Sequence, residues 1–583
     1  MASDTADLNT DTSAKTGPLL SIKDLRLGTV PNRGRSKAIL HGITIDVQPG
    51  EVVALIGESG AGKSTIGLAT LGYVRPGCEI TGGEIMFRGT DILQMSMKEK
   101  RQMRGKDIAY VAQSAAAAFN PAHTIGSQIL EAAEIHGVMS RSEAKERMIE
   151  LITQMQLPNP DTIANKFPHQ VSGGQLQRLM AVMAMTCGPS LIIFDEPTTA
   201  IDVTTQVEVL GSFKDAIANQ GASAIYVSHD LSVVAQIADR IVVLRHGKIV
   251  EEGITEQIIN SPQHEYTKML MAAARPMPDA DGNMPDGTAA GASNEQHVPE
   301  KDAPLLGIKD MFVQYRDKET NKPFDVLKNI NLDIEKGEIV GIIGESGSGK
   351  STMARAIAGL TKRKSGSVSF EGIEMLPDVR DRDLIYRQRI QMVHQMPDIA
   401  FNPRKTVRHA LERPLEFFLK LGPAERRQRV DELMEMVELD PKLANRLPRE
   451  LSGGQKQRVN LARALAAEPT LVLCDEVTSS LDTVVGAAII KMIQSLQRKL
   501  GITFVFISHD ISTVAALADR IAVMYMGEIV EIGPTAEVLQ PPSHPYTNLL
   551  LKSVPEMRTG WLEDLLASGE LEAAASQVQL AGA

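Results

Sequence analysis

The apolar positions along this chain fall into two kinds of run. Short unbroken blocks, Val52 to Ile56, Leu191 to Phe194 and Ile225 to Val227, have strand length and no polar alternation, which predicts parallel strands buried on both faces. Elsewhere apolar residues recur at i, i+3, i+4 and i+7: Met148, Leu151, Ile152 and Met155, then Val430, Leu433, Met434 and Val437. That spacing predicts an amphipathic helix in each half, with its methionines as core packing. Reading forward, strand, glycine-rich loop and helix come first, then a helical insert, then short strands alternating with helices. This is an α/β pattern. No apolar run approaches the roughly 20 residues that a membrane-crossing helix needs, so the chain is expected not to cross a bilayer.

The whole pattern occurs twice. GESGAGKST begins at Gly57 and GESGSGKST at Gly344; VSGGQLQR and LSGGQKQR carry Ser172 and Ser452. The Asp195 and Asp475, His229 and His509, and Tyr266 and Tyr546 pairs keep the same offset as the two serines. Two homologous units therefore follow one another, and their length difference is confined to the part before the SGGQ segments. The segment 275–304 holds five prolines, many small and acidic residues, and no Ile, Leu or aromatic. It reads as a flexible linker with a reach of roughly 30 Å, enough for two domains to sit face to face. The expected organisation is a disordered tail over 1–17, a first domain over 18–274, the linker over 275–304, a second domain over 305–560 and a C-terminal tail over 561–583.

Composition narrows the class. The 583 residues carry 61 Lys and Arg against 72 Asp and Glu, a formal net charge of −11, which argues against bulk attraction to nucleic acid. Cys78, Cys187 and Cys474 are far apart and never paired as CxxC, so neither a disulfide framework nor a cysteine metal site is expected. An intracellular compartment fits, and the polar N-terminus lacks the apolar segment of a secretory signal.

The chemistry concentrates in four places. Gly57, Gly60, Gly62, Lys63, Ser64 and Thr65 follow a strand and open a helix, the context of a phosphate-binding loop; Gly344, Gly347, Gly349, Lys350, Ser351 and Thr352 repeat it. Glycines turn backbone N–H groups toward phosphates, Lys63 and Lys350 reach the outer phosphates, and Ser64 and Ser351 ligate Mg2+. Asp195 and Glu196, like Asp475 and Glu476, close apolar strands, where parallel sheets bind ligands. The Asp would hold Mg2+ through water and the Glu would polarise the attacking water. His229 and His509 end strands as Ser-His-Asp without a nucleophile elbow, which favours a γ-phosphate sensor over a hydrolase triad. Finally, Ser172, Gly173, Gly174 and Gln175, and Ser452, Gly453, Gly454 and Gln455, open helices that can bind an anion. A head-to-tail pair would use both glycine loops on each nucleotide.

Phosphate loop, SGGQ, DE and His together, twice over, resemble the nucleotide-binding domains of ABC ATPases across nearly the whole chain outside tails and linker. The resemblance implies an α/β fold of two tandem P-loop NTPase domains, each with a RecA-like core and a helical subdomain, and binding of ATP and Mg2+. By the same resemblance, Gln113 in YVAQ and Gln395 in MVHQ match the glutamine that touches Mg2+ and the attacking water and faces the membrane partner. Ala200-Ile201-Asp202 and Ser480-Leu481-Asp482 match the D-loop, and Tyr315 takes the place of the aromatic that stacks on adenine. One composite site is expected from Lys63, Ser64, Gln113, Asp195, Glu196 and His229 with Ser452, Gly453 and Gly454. The other joins Lys350, Ser351, Gln395, Asp475, Glu476 and His509 to Ser172, Gly173 and Gly174. Both keep the glutamate, so both are expected to hydrolyse.

FNP at Phe119 to Pro121 and Phe401 to Pro403, with SPQHEYT and PPSHPYT near each unit's end, resembles more narrowly the ATPase subunits of bacterial peptide, opine and nickel importers. That implies two membrane permeases and a solute-binding protein as partners, no nucleic acid, and a peripheral place on the cytoplasmic face of the inner membrane. Peptides lead as cargo, with opines, metal chelates or oligosaccharides behind. Three departures stand out: Thr29 lies opposite Tyr315, Val477 opposite Pro197, and no cysteine follows Cys474, so no iron–sulfur cluster is expected. Two other classes compete. Soluble tandem ATPases that act on ribosomes share these motifs but carry a longer, charged helical linker, and mechanical DNA-repair ATPases need long heptad coiled coil, absent here.

Overall fold

The computed structural model describes residues 17–30, 36–198, 201–274, 304–316, 321–479, 481–540 and 544–581. The expected N-terminal tail apart from Gly17, the linker apart from Pro304, Ala200, Ser480 and residues 541–543 lie outside the described residues.

Each half is built on a six-stranded sheet. In the first, the order is Lys248–Ile254, Arg240–Arg245, Val52–Gly57, Ser223–Val227, Leu191–Asp195, Ile108–Val111, parallel except for the first strand. The second half repeats it as Glu528–Pro534, Arg520–Tyr525, Ile339–Ile343, Thr503–Ile507, Leu471–Asp475, Ile390–Val393. Every residue of Val52–Gly57, Leu191–Asp195 and Ser223–Val227 is buried, because helices cover one face and the antiparallel strands with the helix Lys63–Ala69 cover the other; both faces are hidden, as the unbroken apolar runs predict. A four-stranded antiparallel sheet flanks each core, centred on Leu20–Thr29 and Leu306–Arg316. Part of the length difference lies here: the strand Cys78–Phe87 has 10 residues and its counterpart Ser365–Phe370 has 6.

The helical insert packs around the spacing read from the sequence. Met148, Leu151 and Ile152 are buried on the helix Arg141–Gln154, and Val430, Leu433 and Met434 on Pro423–Met436. The first helix starts at Ser140, whose hydroxyl accepts from Glu143 N while Glu143 returns a bond to Ser140 N, a capping box worth about 1 kcal/mol.

The end of the chain, expected as a tail, is helical over Trp561–Ser568 and Glu570–Ala581. Trp561, Leu562 and Leu565 enter the core of the first half, whereas Ala574 and Val578 enter that of the second. Gln236 of the first half, buried at 2% exposure, fixes this crossing. Its Nε2 donates to Glu556 O and Arg558 O at 2.7 and 3.0 Å, and its Oε1 accepts from Leu562 N at 3.1 Å. Lys214 also pairs with Glu563. The apolar triplet that drives this docking sits in a run of eight residues, too short for a period to be read from sequence. Among the described residues, no helix is long and apolar enough to cross a membrane.

Candidate active sites

The strand Val52–Gly57 ends in a turn that requires glycine. Gly57 has φ of 140°, and a Cβ there would lie 2.0 Å from Leu244 O; Gly344, at φ 146°, would meet Met524 O at 2.2 Å. Such conformations exclude side chains. Gly60 and Gly62, with Gly347 and Gly349, continue the loop at positive φ and deliver the chain into the helices Lys63–Ala69 and Lys350–Ile357. Lys63 Nζ folds back on Gly57 O and Glu58 O at 2.6 and 3.1 Å, and Lys350 Nζ on Gly344 O and Glu345 O, both at 2.7 Å. Burial lowers the pKa of both lysines; Glu196, Asp482 and Asp195 oppose it at Lys63, and Glu476, Asp475 and Asp202 at Lys350. Thr65 and Thr352 follow on the first turns, half-buried.

The carboxylates converge on these loops. Ser64 Oγ donates to Asp195 Oδ1 and Ser351 Oγ to Asp475 Oδ1, each at 2.7 Å. Asp195 also accepts from the Tyr110 hydroxyl at 2.6 Å, a contact without counterpart in the sequence reading. Glu196 and Glu476 sit at φ 50° and 49°. For a non-glycine residue that conformation is strained, and such strain clusters at functional sites. Gln113 Nε2 donates to Glu196 Oε2 at 2.8 Å and Gln395 Nε2 to Glu476 Oε2 at 2.6 Å. His229 Nδ1 lies 3.3 Å from Glu196 Oε1 and His509 Nδ1 3.6 Å from Glu476 Oε2. Each half thus gathers lysine, serine, aspartate, glutamate, glutamine and histidine into one cluster.

Burial disfavours charge on both histidines, but the hydrogen bond and field of Glu196 or Glu476 outweigh it and raise their pKa values. A raised folded pKa contributes stability fully below the unfolded value of about 6.5. It is lost as pH rises through the raised value. In nucleotide-free protein, the thermal midpoint is therefore expected to fall as pH climbs above about 6.5, and His229→Gln with His509→Gln should flatten that profile. An unchanged slope in the double variant counts against the pairing.

The SGGQ segments are capping boxes. Ser172 Oγ accepts from Gln175 N while Gln175 Oε1 accepts from Ser172 N, both at 3.2 Å; Ser452 and Gln455 repeat this at 3.3 and 3.0 Å. The glutamines expected at the nucleotide thus shape the helix start. Gly174 and Gly454 lack space for a Cβ, which would fall 2.5 Å from Thr205 Cγ2 or 2.4 Å from Val485 Cγ1, whereas a Cβ on Gly173 would meet nothing within 4 Å and one on Gly453 only Leu481 Cδ2 at 3.9 Å. Ser172 and Ser452 are exposed. Among the described residues no hydrogen bond or ion pair joins them to the opposite phosphate loop.

What does cross between the halves is the start of the helix after each DE strand. Asp482 caps Thr483–Leu500 and accepts from Ser59 N at 3.3 Å in the first phosphate loop. Asp202 caps Val203–Gln220, and Thr204 Oγ1 beside it donates to Glu345 Oε1 at 3.0 Å in the second loop. Thr483 Oγ1 further donates to His229 O at 2.7 Å. Each half therefore touches the other's phosphate loop. Tyr315 stands at the end of Leu306–Arg316 with 37% exposure, its hydroxyl 3.5 Å from Thr361 Oγ1. Thr29 instead accepts a bond from Lys37 N at its hydroxyl and offers no ring.

A hydroxyl and a carboxylate at 2.7 Å beside a phosphate loop suit Mg2+, which keeps several waters and binds through one carboxylate plus substrate phosphates. Among the described residues, no group of three His, Cys, Asp or Glu could hold a metal by itself.

Glycine loop, buried lysine, strand-end Asp-Glu and histidine on a parallel sheet define a P-loop ATPase, present here in two linked copies. The ABC transporter family matches residues 40–199 and 327–479, and the oligopeptide/dipeptide transporter C-terminal region matches 250–298 and 530–578. The chain belongs to the ABC transporter family, as an ATPase coupled to transport with two nucleotide-binding domains in one polypeptide. It is 36% identical over 545 residues to the glutathione import ATP-binding protein GsiA of Pectobacterium atrosepticum, covering 90% of this chain and 87% of that one. Against GsiA of Escherichia coli strain K12 the identity is 35% over 562 residues, with 92% and 90% covered. A solved dimeric structure of the ATP-binding cassette MJ0796, bound to ADP and Pi, is 36% identical and covers 40% of this chain and 99% of its own, with a TM-score of 0.36.

Proposed function

We propose that this chain powers uptake of a peptide-class solute, a glutathione-like tripeptide or another short peptide, through an ABC importer made with two permeases and a solute-binding protein. Its place is then peripheral, on the cytoplasmic face of the bacterial inner membrane. The paired oligopeptide/dipeptide C-terminal regions and the names of the relatives support the cargo class. The reciprocal contacts of Asp482 with Ser59 and of Thr204 with Glu345 carry the mechanism, because they orient the halves head to tail.

In this reading, ATP sits on each phosphate loop and closure brings Ser452 and its glycines to the Lys63 site, and Ser172 and its glycines to the Lys350 site. Lys63 and Lys350, with three N–H donors each, keep one on the first-glycine carbonyl and turn another to phosphate oxygens. Glu196 and Glu476, held by Gln113 with His229 and by Gln395 with His509, orient and deprotonate the attacking water. Ser64 with Asp195 and Ser351 with Asp475 would hold Mg2+, which would supply charge neutralisation for the transferring phosphoryl group. Tyr315 stacks on adenine in the second half only. A base stack contributes roughly 1 to 3 kcal/mol, so the Lys350 site binds ATP more tightly than the Lys63 site. Hydrolysis removes the preference for closure, and the attached permeases follow.

Affinity purification of the full chain from detergent-solubilised membranes is expected to retain two permease proteins, and cells lacking the chain to lose accumulation of labelled short peptides. Co-sedimentation with ribosomes and no permease would overturn the reading in favour of a translation factor.

A further inference from the structure

The HxYT segments at the ends of the two domains mark a subfamily, yet the ATP chemistry above leaves them without a task. The structure gives three of their residues one. His264 and His544 are N-caps: Nδ1 of each accepts from the backbone N–H of Tyr266 or Tyr546 at 3.1 Å, starting the helices Glu265–Ala273 and Pro545–Lys552. Thr547 anchors the second of these helices to Glu531 on the edge strand, while Glu251, the equivalent of Glu531 in the first half, accepts from Gln263 N and His264 N at 2.6 and 3.0 Å. The tyrosines then point into the phosphate loops. Glu58 N donates to the Tyr266 hydroxyl at 2.9 Å and Glu345 N to the Tyr546 hydroxyl at 2.8 Å.

These amides belong to the peptide units Gly57–Glu58 and Gly344–Glu345. The carbonyl of each unit accepts from Lys63 Nζ or Lys350 Nζ, as does the carbonyl that follows it. One peptide plane is thus clamped at both ends, by tyrosine on its N–H and by the phosphate-binding lysine on its C=O. Both rings are buried, at 2% and 0% exposure. Their neighbours differ: the Arg245 guanidinium lies 4.7 Å from the Tyr266 ring centre, whereas the Tyr525 ring lies tilted by 33° against Tyr546, with centres 4.2 Å apart. The same hydroxyl-to-amide bond survives that change of surroundings. Burial pushes the Tyr266 phenol up to about 12 and that of Tyr546 up as well, so both remain neutral hydroxyls.

We propose that Tyr266 and Tyr546 are positioning residues for ATP, each locking the first peptide of a phosphate loop so that its lysine is aimed at the phosphates. The proposal rests on reading those loops as the ATP sites. It makes the oligopeptide-type C-terminal region a brace of the nucleotide site as well as a mark of subfamily.

Removing the hydroxyl leaves a part-buried N–H without a partner and frees the peptide to rotate. Phenylalanine keeps the ring and its packing. To read one site at a time, ATP binding is measured by equilibrium dialysis on the full chain with Lys350→Ala for the first site, or Lys63→Ala for the second. Tyr266→Phe in the former and Tyr546→Phe in the latter are each expected to raise the Kd for ATP about tenfold, the scale of one unpaired donor. In chains with both lysines intact, the same single variants are expected to raise KM for ATP with kcat unchanged. An unchanged Kd and KM, whether or not the melting temperature falls, would mean that the tyrosines are purely structural and would overturn the proposal. Absence of ATP binding when both tyrosines and lysines are intact would instead remove the ATP-site reading on which it stands.

Discussion

Glu196→Gln combined with Glu476→Gln is expected to leave ATP binding intact and to cut hydrolysis by about a hundred- to ten-thousandfold, the range of a positioned general base. The geometry explains why the change should be so selective. Each glutamate directly follows a buried strand, at positive φ, and is held on one side by Gln113 or Gln395 and on the other by His229 or His509. Glutamine fits the same space but accepts no proton. The phosphate loops, whose lysines bond backbone carbonyls, remain in place to hold nucleotide. Release of phosphate and retention of labelled ATP, measured on the same preparation, check the two halves of this expectation. Wild-type-like turnover in the double variant would remove both glutamates from the chemistry.

The second large effect concerns pairing across the seam. In the Glu196→Gln and Glu476→Gln background, a chain carrying Lys63→Ala with Ser452→Arg damages one composite site twice, whereas Lys63→Ala with Ser172→Arg damages each site once. The first is expected to trap one ATP per chain and the second none. Arginine at the N-cap removes the hydroxyl that bonds Gln455 N or Gln175 N and places a long cation where glycine leaves room. The reverse pattern, one ATP trapped with Ser172→Arg and none with Ser452→Arg, measured by filtration with labelled ATP, would show that each half works on its own nucleotide.

Much of this architecture is visible in the residues themselves, for identifiable reasons. The parallel strands announce themselves because burial on both faces leaves no polar alternation, as in Leu191–Asp195. The glycines of the phosphate loop are fixed by backbone conformation, so their spacing persists as a pattern. Gln175 and Gln455 serve as partners in a capping box, a role the sequence does not separate from that of an anion site, since the two share one pattern. Tyr110 escapes notice because its bond to Asp195 joins two strands far apart in sequence. The Tyr266 and Tyr546 hydroxyls escape for the same reason, although their repetition at one offset marks them as worth a contact. Trp561 and Leu562 are hidden by brevity: a docking helix of eight residues buries three side chains, and its partner surface lies hundreds of positions away.

That short helix has a consequence for how the engine behaves in dilute solution. The polypeptide runs from the first half into the second, and its far end then returns to lodge Trp561 and Leu562 in the first. Separate cassettes must find each other by collision, and their pairing fades as they are diluted. Here covalent continuity and a buried anchor hold the partners at a fixed effective concentration, so their pairing does not weaken as the protein is diluted.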